Sequence, residues 1–258
     1  MASMEKFIKG CLADASEKIM EARGKGLKIT AKARNDMATS ADFASEELIV
    51  GRIREEYPDA VVLSEESYAK GDFSADSLFV IDPIDGTHNF IQGIPLYAIS
   101  IAHFSGGRPT AGGVRLVPQG EVIYAEKGKG AKMNGKRISV SKTPRAEDFF
   151  FLSDSRLHLA VDMGVERGLL ELERMSQHTR FLGAAVYDMC YVACARADAA
   201  YEFRLKPFDF AAAAFIVEEA GGRVTDFEGN PWGLSTVSFL ASNGNEHERV
   251  LGILTGKN

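Results

Sequence analysis

The sequence predicts a layered α/β or α+β fold, and three observations carry that prediction. Apolar residues recur at helical spacing near the N-terminus. Short β-rich runs broken by Gly and Pro turns fill the rest of the first half. Strands then alternate with Ala-rich helical segments in the second half. The pattern changes beyond Pro144 without a linker. One domain over 1–258 is expected, with lobes of about 1–145 and about 146–258.

Phe7, Ile8, Cys11, Leu12, Ala15, Ile19 and Met20 mark an opening amphipathic helix. Thr39 or Ser40 caps a second helix that runs to about Tyr57 and is stopped by Pro58. Val61–Ser64 and Leu78–Ile81 read as strands, each ending in acids. Tyr97–Phe104, Gly113–Val117 and Val122–Glu126 form an antiparallel meander. Lys127–Arg137 is basic, but Asn134-Gly135 marks it as a hairpin with a solvated face rather than a binding patch. Phe149–Leu152 reads as a buried strand, Leu157–Met175 as one helix and Ala184–Arg196 as a buried helix. Ala199–Phe203 is a strand, and Phe208–Ala220 a helix closed by Gly221-Gly222. Arg223–Asp226, Ser238–Ser242 and a helix from about Glu246 complete the chain.

Composition narrows the function classes. The 258 residues are 45% hydrophobic and 26% charged, ordinary for a globular chain with a substantial core. A net charge of −6 gives no reason to expect direct nucleic-acid binding, and an anionic substrate would need a cation to mediate. Cys11, Cys190 and Cys194 make no disulfide framework, and the Cys190/Cys194 pair reads as small core residues. No run is long and apolar enough to span a membrane, and Met1–Ala22 lacks a signal-type apolar stretch. A cytoplasmic protein is expected.

The informative feature is where acids fall relative to strands. Leu78–Ile81 runs into Asp82-Pro83-Ile84-Asp85-Gly86-Thr87, two carboxylates in a turn shaped by proline and glycine. Taken alone this is equally an ordinary turn. Val61–Ser64 delivers Glu65-Glu66 in the same way, and Asp209 opens an Ala-rich helix just after Pro207. As a helix-terminal acid Asp209 also serves as a cap, which does not conflict with a ligand role. Oxygen donors from several segments, without a His or Cys cluster, select Mg²⁺ or Mn²⁺. The five histidines are scattered, and His103 reads as structural. No nucleotide-binding glycine loop or nucleophile elbow is present.

Three motifs together resemble the inositol monophosphatase family of lithium-sensitive, Mg-dependent sugar phosphatases. They are Leu63-Ser64-Glu65-Glu66-Ser67, Ile81–Phe90 (IDPIDGTHNF), and Pro207–Ala212 (PFDFAA) followed by Glu219-Ala220-Gly221-Gly222. The match in order and spacing runs from Thr39–Asp42 to Asn243. The resemblance implies an αβαβα sandwich, a homodimer and a hydrolase acting on a small phosphorylated polyol or sugar. It implies two or three Mg²⁺ per site, with Mn²⁺ as a substitute. Glu65, Asp82 and the Ile84 carbonyl would hold the first, and Asp82, Asp85 and Asp209 the second. Glu65 and Thr87 would activate water, supported by Asp42. Phosphate would meet the N–H groups of Gly86 and Thr87. Gly183, Ala184 and Ala185 match the substrate-side loop, and Glu202 matches an acid that binds ring hydroxyls.

The chain departs from the family pattern at Ser64, His88, Ala184 and Phe208, none of which removes a ligand. Within the superfamily, histidinol phosphatase, fructose 1,6-bisphosphatase and bisphosphate nucleotidase are the alternatives to inositol 1-phosphate hydrolysis. A bisphosphate needs extra cations, for which Arg180, Arg204 and Lys206 are candidates, whereas Arg156 and Arg196 read equally well as solvated or structural. A non-catalytic regulatory homologue is the remaining alternative, and a missing ligand would favour it.

Overall fold

The computed structural model describes residues 3–33, 36–67, 73–154 and 157–257. Arg156 lies outside the described residues. Helix α1 (Met4–Gly24) is capped by the Ser3 hydroxyl and buries Phe7, Ile8, Cys11, Leu12, Ala15 and Ile19. Met20, placed on that face by its spacing, is 46% exposed instead. Strands β1 (Ile29–Ala33) and β2 (Asp36–Thr39) form a hairpin with no counterpart in the sequence reading. The reason is physical: β1 is exposed along its length and has no inside–outside alternation. Helix α2 (Ser40–Glu56) opens with a reciprocal cap, in which Thr39 Oγ1 accepts from Ala41 N–H and Asp42 accepts from Thr39 N–H.

Strands β3 (Val61–Ser64) and β4 (Leu78–Asp85) pair in parallel. The short helix α3 (Thr87–Gln92) follows, and then an antiparallel meander: β5 (Ala98–Ser105), β6 (Arg108–Leu116), β7 (Glu121–Glu126), β8 (Gly130–Met133) and β9 (Lys136–Arg137). These make one seven-stranded sheet in sequence order from β3 to β9. Asn134 and Gly135, with φ of 49° and 79°, form the two-residue hairpin loop between β8 and β9.

The second sheet has order β11-β10-β12-β14-β13, built from β10 (Phe150–Ser153), β11 (His178–Phe181), β12 (Ala199–Glu202), β13 (Arg223–Asp226) and β14 (Phe239–Ser242). Strand β10 runs parallel to β11 and β12, and β14 is antiparallel to β12 and β13. The helices between these strands are α4 (Leu157–Met163), α5 (Glu166–Met175), α6 (Ala185–Ala193) and α7 (Ala211–Glu219), and α8 (His247–Thr255) follows β14. The single helix expected over Leu157–Met175 is two, because Gly164 takes φ +71° and breaks the axis.

Five layers result, as the αβαβα expectation requires. Helices α1 and α2 cover one face of the large sheet, α6 and α7 fill the space between the sheets, and α5 and α8 pack outside the small one. Two adjacent glycines in β6 let helices in from both sides. A β-carbon at Gly113 would stand 2.4 Å from Ile8 Cγ2 of α1, and one at Gly112 2.9 Å from the Ala212 carbonyl of α7. Successive residues of a strand face opposite ways, so this pair serves two layers at once.

A buried histidine ties the far sheet to α8. His247 sits between Thr225 Oγ1 at 2.9 Å and Ser242 Oγ at 2.7 Å, and burial pushes its pKa down to about 4. The folded chain favours the neutral ring. Its contribution to stability is present above the ordinary value of 6.5 and is lost as pH falls toward 4. His247→Gln should therefore lose about 2 kcal/mol less stability than wild type between pH 7 and pH 5. Urea unfolding at the two pH values measures the difference, and equal losses in both proteins would refute this role.

Candidate active site

The site grows from the end of β4. Residues three apart on a regular strand face opposite ways, yet Asp82 and Asp85 line the same cavity. The pairing with β5 explains this: Asp82 opposes Ser100 and Asp85 opposes Ala98, so a bulge inserts one extra residue and rephases the strand. Pro83 has no N–H to lose there, and its carbonyl accepts from Ser45 Oγ at 3.1 Å. Asp82 Oδ1 accepts from Ile84 N–H at 3.0 Å, which fixes its rotamer.

Asp85 Oδ2 accepts from the Tyr187 N–H at 3.3 Å, in the first turn of α6. Ala184 has no side chain to cap that helix, so the carboxylate reaches across from β4 to do so. Gly86 follows with φ +81°, and a β-carbon there would meet the Leu96 carbonyl at 2.9 Å and Ala184 Cβ at 3.0 Å. Asn89 Nδ2 pins this close approach by donating to the carbonyls of Leu96 and Leu182 at 2.9 and 2.8 Å.

Glu65 enters from β3 and Asp209 from the 3-10 turn Pro207–Asp209. With Asp82 and Asp85 they line one open cavity of about 700 Å³. Asp209 Oδ2 accepts from Lys206 N–H at 2.7 Å. Lys32, from the β1–β2 hairpin, places its ammonium 2.8 Å from Glu65 and 2.9 Å from Glu66. Glu46 on α2 accepts from Glu66 N–H at 2.9 Å and from the Ser64 hydroxyl, holding the turn that carries both acids.

Of the residues expected at a site, Ile84, Gly86, Thr87, Gly183 and Ala185 also line the cavity. Thr87 Oγ1 lies 2.9 Å from the Ile84 carbonyl and 3.1 Å from Asp42 Oδ1. Asp42 is buried behind Thr87, and its other oxygen accepts from Thr39 N–H and Oγ1. Ala184 and Glu202 are not on the cavity surface. Glu202 is fully buried at the end of β12, where Oε1 accepts from Asp154 N–H at 2.8 Å. Beside it stands Asp188 of α6, buried against the same carboxyl group. Burial and then the nearby Glu202 push the Asp188 pKa well above the carboxylate range. Of the candidate cations, Arg204 and Lys206 face the cavity. Arg180 lies against the Phe150 ring, and Arg196 pairs with Glu121 on the far side of α6.

Sequence reading missed Lys32, Glu46 and Asp154. Glu46 had a signal, because it falls one turn after Asp42 on the face that buries Ala41, Ser45, Ile49 and Ile53. Lys32 and Asp154 had none; long-range folding alone brings Lys32 to Glu65 and Asp154 to the cavity.

Electrostatics decides what this cavity accepts. Burial, and then repulsion from Glu65 and neighbouring aspartates, raises Asp82 well above the usual carboxylate range. Burial followed by the charges of Asp154 and Asp209 does the same to Asp85. Burial lifts Asp209 to about 7 and Asp42 to about 6. Such a group calls for positive charge. Among the described residues no three of these acids close into a finished metal cage. Glu65 is drawn to the Lys32 ammonium, and Asp209 to a backbone N–H. An all-oxygen donor set that already attracts an ammonium fits a hard divalent cation such as Mg²⁺ or Mn²⁺.

Comparison with known proteins bears on the family and the fold. The sequence profile described as the inositol monophosphatase family matches residues 1–256. A chloroplastic phosphatase of Arabidopsis thaliana is 38% identical over 92% of this chain, which spans 66% of that protein's length. The fructose-1,6-bisphosphatase/inositol-1-monophosphatase of Thermotoga maritima is 36% identical over 85% of this chain and 82% of its own. A Nus factor SuhB of Pasteurella multocida is 38% identical over 84% of this chain and 81% of its own. Among solved structures, a Thermotoga maritima IMPase superposes with TM-score 0.89 at 32% identity, covering 99% of this chain and 98% of that one. An inositol monophosphatase II of Staphylococcus aureus, solved with inositol monophosphate bound, superposes with TM-score 0.86 at 26% identity, covering 98% and 94%.

Proposed function

Because the chain belongs to the inositol monophosphatase family, we propose that it is a magnesium-dependent phosphomonoesterase acting on inositol 1-phosphate or a similar small polyol phosphate. The observation that carries this reading is the meeting of Glu65, Asp82, Asp85 and Asp209 in one cavity, with the Thr87–Asp42 pair beside them. Glu65, Asp82, the Ile84 carbonyl, Asp85 and Asp209 would hold the cations. Bound Mg²⁺ would supply charge to the phosphoryl oxygens and acidify water.

The chain's own groups do the rest. Thr87 Oγ1 has two acceptors within reach, the Ile84 carbonyl and Asp42. When it donates to Asp42, its lone pairs are left to orient and deprotonate an attacking water. Asp42, raised to about 6 by burial, is poised to take up the proton near neutral pH. The first-turn N–H groups of α3 have no intrahelical acceptor and suit a phosphate oxygen. The half-open wall leaves room for a small alcohol to depart. A homodimer and inhibition by Li⁺ belong to the same proposal. Among the described residues, no helix is long and apolar enough to cross a membrane.

The relatives named Nus factor SuhB supply a second reading, a protein retained for binding. The intact set of acids favours catalysis. The discriminating experiment is phosphate release from inositol 1-phosphate, histidinol phosphate, fructose 1,6-bisphosphate and 3′-phosphoadenosine 5′-phosphate, each with and without Mg²⁺. Mg²⁺-dependent release from at least one ester is expected. Folded protein that releases phosphate from none of them would favour the binding reading.

A further inference from the structure

The acid expected to read ring hydroxyls is not the acid that the cavity wall presents. Glu202 ends β12 fully buried, and its Oε1 accepts from Asp154 N–H at 2.8 Å. Asp188 of α6 is buried against it. Burial first, and then Glu202, push the Asp188 carboxyl well above the carboxylate range, so the two acids share a proton. Turning Glu202 toward the cavity would break the bond to Asp154 and take that acceptor from the buried Asp188 proton.

Asp154 is placed differently. Strand β10 runs parallel to β12 with Leu152 opposite Ala200, so Asp154 and Glu202 come level at the ends of the two strands. The C-terminal ends of parallel strands are where open α/β sheets hold their ligands. Asp154 is exposed and lines the cavity together with Asp85, Gly183 and Asp209. Its charge comes next after burial in raising the Asp85 carboxyl, so it stands near the phosphate end of the cavity. The bond from its N–H to Glu202 fixes the backbone that carries it.

We infer that Asp154, not Glu202, is the specificity residue that accepts hydrogen bonds from hydroxyl groups beside the scissile ester, and that Glu202 holds it in position. A carboxylate offers acceptors only, and its two oxygens can take two neighbouring hydroxyls at once. An ester without those hydroxyls leaves the Asp154 carboxylate to water and gains nothing from it. The inference rests on the polyol-phosphate reading and assigns the residue that recognises the polyol.

The test compares inositol 1-phosphate with p-nitrophenyl phosphate, a ring ester without hydroxyls, in wild type, Asp154→Asn and Glu202→Gln. Asparagine keeps the size of an exposed side chain and removes its charge. Glutamine keeps the oxygen that accepts from Asp154 N–H and offers N–H donors to Asp188. The kcat/KM ratio, inositol 1-phosphate over p-nitrophenyl phosphate, should fall about tenfold or more in D154N and stay within about threefold in E202Q. A ratio unchanged in D154N, or lowered as far in E202Q, would overturn the inference. D154N alone decides if E202Q does not fold. Mn²⁺ titration should give the same number of bound ions in wild type and D154N. Loss of an ion in D154N would make Asp154 a metal ligand and overturn the inference. Release by wild type from p-nitrophenyl phosphate alone would overturn it too. Release from neither ester would instead contradict the phosphatase reading, and calorimetry with inositol 1-phosphate and Mg²⁺ then still tests Asp154. Wild type should bind about tenfold more tightly than D154N, and equal binding, or none, would overturn the inference.

Discussion

Asp82→Asn is expected to lower kcat by at least about a thousandfold while leaving the fold intact. Asparagine keeps the shape and the oxygen that accepts from Ile84 N–H, and removes only the charge. Glu65, Asp85 and Asp209 all act on that charge, so under the proposed assignment its loss would weaken the cation positions together. The same variant should be more stable than wild type when metal is removed. Buried carboxylates with raised pKa values contribute stability fully only below their unfolded value, near 4, and that contribution is lost as pH rises. For Asp209 the loss runs up to about 7. Metal-free wild type should therefore lose stability between pH 4 and 7 through this cluster, and D82N should lose less. Turnover within tenfold of wild type, or an identical metal-free pH profile, would refute the assignment.

Thr87→Val should lower kcat about a hundredfold or more with KM changed only a few-fold. Valine fills the same volume, so the change isolates the hydroxyl that links Asp42 to the cavity. Asp42 stays anchored by Thr39 through its other oxygen, and the helix cap survives. The effect should therefore appear in the chemical step and not in thermal stability. A drop of less than tenfold in kcat would show that the Thr87–Asp42 pair does not carry the proton.

The layers and the strands bearing the acids were legible because each is a short apolar run that stops at a carboxylate, as in Leu78–Asp85. Family resemblance supplied the rest of the acid set. Three features escaped for separate physical reasons. The Ile29–Ala33 strand has no buried face, so no periodicity announced it or the lysine it carries to Glu65. The break at Gly164 hides in an apolar pattern that continues across it, because α4 and α5 both send residues into one core. Glu202 lies behind the wall with Oε1 bonded to the Asp154 N–H and Asp188 beside it, neighbours that only the tertiary fold brings to it.

The most direct test titrates Mn²⁺ into metal-free wild type and D82N near neutral pH, and follows Mg²⁺-dependent phosphate release in the same preparations. Stoichiometric binding to wild type, its loss in D82N and a parallel loss of release are the expected results. Phosphate release that survives exhaustive chelation, or equal metal binding by the two proteins, would contradict the proposal that these carboxylates hold the catalytic cations.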